Sequence, residues 1–92
     1  MIGSIRHRGL RRLYERGDRA GIRPDMLTKV ENILAVLDRA DSPEKMRLPG
    51  FRLHALTGDR NGFWSVTVKA NWRIIWRFEG AHAVDVDLVD YR

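Results

Sequence analysis

Five residues of this 92-residue chain have the types to handle a phosphate and a proton: His54, Arg73, Asp90, Tyr91 and Arg92. Arg77 and Lys69 are further candidate cations for RNA or phosphate binding. Metal-free scission of RNA needs a base for the 2′-hydroxyl proton, an acid for the leaving 5′-oxygen, and cations for the charged phosphorane. Histidine titrates near neutral pH, so His54 has the chemistry of either acid or base. Asp90 could accept a proton or orient a neighbour. Arg73 and Arg77 could hold phosphate through paired N–H donors, and Tyr91 could stack on a base or bond to a ribose. Each also has an ordinary reading: a lone strand histidine is usually a surface residue, and arginines on an open strand face are usually solvated.

Other chemistries find less support. The chain has no GxGxxG, no P-loop and no HExxH motif. The three histidines, His7, His54 and His82, lack ligand spacing, so neither a metal site nor a cofactor is expected. There is no cysteine, which removes thiol catalysis and disulfides and fits a reducing compartment.

The elements that must position these residues follow from periodicity. "IGSI" reads as a short strand, and "HRGLRRLYERG" as a short helix with Leu10, Leu13 and Tyr14 at helical spacing and Gly17 as its stop. From Pro24 to Ala40, Met26, Leu27, Val30, Ile33, Leu34 and Leu37 form a stripe of period 3.6. In "DSPEK", Ser42 reads as the cap of a short helical turn.

Beyond Pro49-Gly50 the period becomes two. Phe51, Leu53 and Ala55, then Trp64, Val66 and Val68, then Trp72, Ile74, Trp76 and Phe78, and finally Val84, Val86 and Leu88 fall on one apolar face. The same parity puts His54, Lys69, Arg73 and Arg77 on the other. "TGDRNG" and "EGAH" read as turns. The expected fold class is α+β, a single domain over residues 1–92 with N-terminal helices on one face of a mostly antiparallel sheet.

The composition sets bounds. Hydrophobic residues make up 43% of the chain, enough for one core. No apolar run is long enough for a membrane span, and the N-terminus lacks the apolar stretch of a secretory signal. The net charge is +5, and residues 1–23 hold seven arginines against Glu15 and Asp18, which accounts for all of it. The arginine bias suits a nucleic-acid partner or reflects codon usage. The basic N-terminal stretch reads as a grip on RNA, a surface for an acidic partner, or a solvated helix face.

The segment "FRLHALTGDRNGFWSVTVKANWRIIWRFEGAHAVDVDLVDYR" resembles the HigB group of RelE-like bacterial toxins. The motifs are His54 in its "LHAL" strand, Gly58-Asp59-Arg60, Gly62, Trp64-Ser65, Val68, Asn71-Trp72-Arg73, Phe78 and the closing Asp90-Tyr91. The opening "IGSIRHRGLRRLYERG", with His7, Gly9-Leu10 and Gly17, extends the resemblance over essentially the whole chain.

The resemblance implies a RelE-like fold, helices on a curved antiparallel sheet. It implies a cytoplasmic toxin of a type II toxin–antitoxin pair, a metal-independent endoribonuclease that cuts mRNA in the A site of the 30S ribosomal subunit. It also implies a cognate HigA-like helix-turn-helix antitoxin, operator DNA bound only through the antitoxin complex, and no membrane partner. By position the catalytic set falls on His54, Arg73, Asp90, Tyr91 and Arg92. Two positions depart from the group: Thr57 stands where a lysine is familiar, and Arg92 where the chain commonly ends in histidine. Arginine does not release a proton at neutral pH, so proton transfer would rest on His54 and Asp90. The rival reading is a catalytically weakened binding module that acts as antitoxin partner and co-repressor.

Overall fold

The computed structural model describes residues 1–91; the expectation for Arg92 lies outside the described residues. Two helices, α1 (Arg8–Arg16) and α2 (Leu27–Arg39), precede four strands: β1 (His54–Ala55), β2 (Trp64–Lys69), β3 (Trp72–Glu79) and β4 (His82–Asp90). The strands form one antiparallel sheet in the order β1-β2-β3-β4. The expected α+β class is observed. "IGSI" makes no strand of its own; Ile2 and Ile5 bridge in parallel to Ala83 and Val86 and cover the edge of β4.

Helix α1 starts because His7 accepts a bond from the Leu10 N–H at its Nδ1, 3.1 Å away. It stops at Gly17, whose left-handed φ of 69° a side chain would disfavour. Gly9 and Gly21 meet backbone to backbone: a Cβ on Gly9 would fall on the Gly21 carbonyl. Helix α2 begins three residues after the expected Pro24, which lies in the preceding turn. Its stripe of Val30, Ile33, Leu34 and Leu37 is buried. Ser42 precedes a 3-10 turn over Pro43–Met46 but makes no side-chain capping bond.

One core runs from Ile2 to Leu88, with Leu10 and Leu13 of α1, the α2 stripe, and Val66, Val68, Ile74, Trp76, Ala83 and Val86 of the sheet. Trp76 is fully buried, while Trp64 and Trp72 are partly buried against the core. Strand parity fails at three places. At β1, Arg52 has a φ of 52°, and Leu56 rather than Ala55 is buried. In β4 an extra residue shifts the register between Ile75 and Arg77, with Asp85 at φ 53°. Ala83 therefore takes the core position expected for Val84. In β2 a register shift at Val68 sets Lys69 opposite Trp72 instead of on the face of Arg73.

Asp38 of α2 joins three parts of the chain. The Tyr14 hydroxyl of α1 donates to its Oδ1 at 2.5 Å, and the Ile2 N–H donates to the same oxygen at 3.1 Å. The Tyr14 bond, aided by the Ile2 N–H, holds the Asp38 carboxyl below its ordinary range. The same bond, with burial and the nearby carboxylate, pushes Tyr14 up to about 12. Removing the hydroxyl with Tyr14→Phe should cost about 1.5–3 kcal/mol, the scale of a hydrogen bond to a charged group, and lower the melting temperature accordingly. A raised tyrosine pKa stabilises fully below the unfolded value near 10 and loses that effect as pH climbs through about 12. Melting curves from pH 9 to 12 should show an alkaline loss in the parent chain that Tyr14→Phe lacks.

Candidate active site

His54 lies opposite Ser65 in the β1–β2 pair, and Ser65 lies opposite Ile75 of β3. Ser65 and Ile75 are both buried, yet neither belongs among the core residues that pack on the helices. They underlie the sheet face away from α1 and α2. On this face a hollow of about 230 Å³ is lined by His54, Ala55, Leu56, Thr57, Ser65, Arg73 and Tyr91. A second cleft of about 430 Å³ shares Thr57 and Tyr91 with it and adds Asp59, Arg60 and Asp90.

Each wall has a local cause. His54 is exposed on the short edge strand β1. Arg73 is half-buried on β3, and its Nη1 donates to Oγ1 of Thr67, the cross-strand partner, which fixes the guanidinium against the sheet. Tyr91 follows β4, and its N–H donates 2.8 Å to the Asn71 carbonyl in the β2–β3 turn. That bond carries the sheet pairing past Asp90, which lies opposite Trp72. Tyr91 remains 40% exposed, open to a stacking partner.

The loop between β1 and β2 supplies the remaining wall. The Leu56 N–H bonds to the Phe63 carbonyl at 2.8 Å and closes it. Inside, a 3-10 turn over Gly58–Arg60 starts from Gly58 at φ 66°. The Asn61 N–H to Gly58 and the Phe63 N–H to Arg60, both 3.0 Å, hold its shape. The Arg60 guanidinium lies 5.6 Å from the centroid of the Tyr91 ring.

The structure thus brings His54, Arg73 and Tyr91 to one hollow and sets Asp90 in the adjoining cleft. Two expected cations stand elsewhere. Lys69, turned by the irregularity at Val68, pairs with Asp25 at 3.0 Å, just before α2. That bond, with help from Arg23, holds the Asp25 carboxyl below its usual range. Arg77 shares the strand parity of Arg73, but its Nε binds Asp85 at 2.8 Å and its Nη2 binds Glu79 at 3.0 Å. Its charge is thereby neutralised, and neither it nor Lys69 lines the two hollows. Ser65, Asp59 and Arg60 line the site without having been singled out by type and spacing. Their signal lay in "GDRNGFWS", which counted toward the family resemblance and as a turn and strand start but was given no role in the site. Among the described residues, no group of three or more His, Asp or Glu side chains could hold a metal ion.

A hollow with an imidazole, a guanidinium and a phenol, flanked by carboxylates, is suited to acid–base work on a phosphodiester. Residues 3–92 match the sequence model of the RelE-like toxins of the type II toxin–antitoxin system HigB. The chain is also 36% identical over 91 residues to the endoribonuclease HigB of Proteus vulgaris, covering 99% of each chain. It belongs to the HigB-like toxins of type II toxin–antitoxin systems. Its partner as a member of that class is an antitoxin.

Arg77 has a structural task. Together with Arg6, 3.4 Å from Asp85, it ties the bulged β4 to β3 and to the N-terminal segment. The Asp85 carboxyl is held below its usual range mainly by the Arg77 bond. A double-mutant cycle with Arg77→Ala and Asp85→Ala should give a small favourable coupling at pH 7 that weakens with added salt. A depressed carboxylate stabilises above its unfolded pKa and loses that effect as pH falls through the folded one. The coupling should therefore shrink in denaturation measurements as pH falls below the ordinary carboxylate range.

Proposed function

We propose that this chain is a ribosome-dependent endoribonuclease of the cytoplasm that cuts mRNA in the A site of the small subunit and so arrests translation. Its antitoxin is a HigA-like helix-turn-helix protein, and the pair binds operator DNA through that antitoxin. The observation that carries the reading is the joining of His54, Arg73 and Tyr91 in one hollow, with Asp90 in the cleft beside it. The named activity of the Proteus vulgaris relative supports it.

In this reaction the 2′-hydroxyl attacks the adjacent phosphate, the bond to the 5′-oxygen breaks, and a cyclic phosphate end remains. His54 and Asp90 are the proton-transfer pair, one taking the 2′-hydroxyl proton and the other supplying a proton to the leaving oxygen. Arg73, fixed by Thr67, holds the non-bridging oxygens as negative charge grows on them. Tyr91 supports the base or ribose, and Arg92 assists at the phosphate. The site is open and its walls come from separate strands. This suits a substrate whose path is arranged by a larger body, so that free RNA is a poor substrate.

Mapping mRNA ends after incubation with stalled, programmed ribosomes tests this. His54→Ala, Asp90→Ala and Arg73→Ala should each lower the cleavage rate by about a hundredfold or more. Removal of Arg92 alone should cost less than Arg73→Ala, because it takes away an assisting charge and no proton carrier. Variants that cut as fast as the parent chain would reject the assigned residues. Induction that fails to arrest growth, while the antitoxin complex still forms, would favour the binding-module reading.

A further inference from the structure

Among the described residues, few cations line the cleft. Thr57 carries no charge, Lys69 pairs with Asp25, and Arg77 pairs with Asp85 and Glu79. Besides Arg73, one further cation lines the two hollows among the described residues: Arg60. Asp59 and Asp90 line the same cleft, yet no described carboxylate lies within ion-pair distance of the Arg60 guanidinium. Its described partner is the Tyr91 ring, at 5.6 Å.

We infer that Arg60 is a substrate-contacting residue: it binds a phosphate of the RNA strand at the Tyr91 side of the cleft. The inference rests on the endoribonuclease reading and adds to it the residue that grips the strand. Three features support this. A guanidinium over an aromatic ring is held by the ring's negative face, while its N–H donors remain available for a bidentate phosphate contact. The loop that carries it is closed by the Leu56–Phe63 bond and braced by Asn61 N–H to Gly58 and Phe63 N–H to Arg60. The side chain is therefore placed before substrate arrives, which is what makes a cation effective against charge that develops at the phosphate. Among the described residues no carboxylate pairs with its charge, unlike those of Arg77 and Lys69.

Two probes test this with the full chain: a short single-stranded RNA, and programmed ribosomes, both with a 2′-deoxy nucleotide at the scissile position so that attack cannot occur. Arg60→Ala should weaken binding and reduce the slope of log affinity against log salt by about 0.7, the loss of one single-strand phosphate contact. Arg60→Lys should keep the slope. On cleavable mRNA, Arg60→Ala should cut about a hundredfold more slowly. If Arg60→Ala keeps the parent slope, the inference falls, even if cleavage drops, because the arginine would then only prop Tyr91. A parent chain that binds neither probe overturns it as well. A parent chain that binds but cuts no mRNA on ribosomes rejects the endoribonuclease reading, while the salt slope still decides Arg60.

Discussion

The antiparallel ladder between β3 and β4 is the constraint on which the rest of the structure depends. It runs from the Glu79–His82 pair to the Trp72–Asp90 pair. On its inner side Ile74, Trp76, Ala83 and Val86 meet the buried stripe of α2 and the leucines of α1. On its outer side it carries Arg73. Its edge is where the N-terminal segment docks through Ile2 and Ile5. Beyond β4 the same ladder fixes Tyr91, which is anchored by its N–H to the Asn71 carbonyl. The last residues of a domain usually fray. Here the closing tyrosine is a wall of the site, and it exists as a wall only when the sheet is complete.

That dependence joins stability to chemistry. His54 comes from β1, Arg73 from β3 and Tyr91 from beyond β4, so no local stretch of sequence holds the hollow. Helix packing matters to the site indirectly. Asp38, shared by the Tyr14 hydroxyl and the Ile2 N–H, sets α1 and the N-terminal segment against α2. The N-terminal segment in turn meets the bulge of β4, where the Asp85 N–H bonds to Ser4 Oγ at 2.8 Å.

The helices were legible from residue types: the helical spacing of Leu10 and Leu13 with Gly17 as the stop for α1, and the Val30–Leu37 stripe for α2. The strands and their turns were legible from period two. The faces were only partly so, since parity assumes an uninterrupted pleat. Arg52, Ala70 and Asp85 all have positive φ, and none is glycine, so the breaks left no mark in the sequence. Each error follows from such a break or from a register shift: Ala55 exposed, Ala83 for Val84, and Lys69 turned toward Asp25. Of the site, His54, Arg73 and Tyr91 were legible from type and resemblance. Arg60 stood in a motif of the resemblance but drew no role, because a turn has no period that says where its side chains point.

The charge distribution completes the account. Of the seven arginines in residues 1–23, Arg6, Arg19 and Arg23 are in ion pairs with Asp85, Glu31 and Asp25. Arg8, Arg11, Arg12 and Arg16 lie exposed on the outer face of α1 with no described ion pair. The net +5 therefore has two different meanings in the fold. Exposed arginines on a helix act at long range and weaken with salt. A guanidinium stacked on a ring inside a cleft acts at contact and keeps its orientation. A count of arginines cannot separate these roles; the partner of each guanidinium does. By that criterion, among the described cations of this sheet face and its cleft, carboxylates occupy Arg77, a hydroxyl steadies Arg73, and an aromatic face supports Arg60.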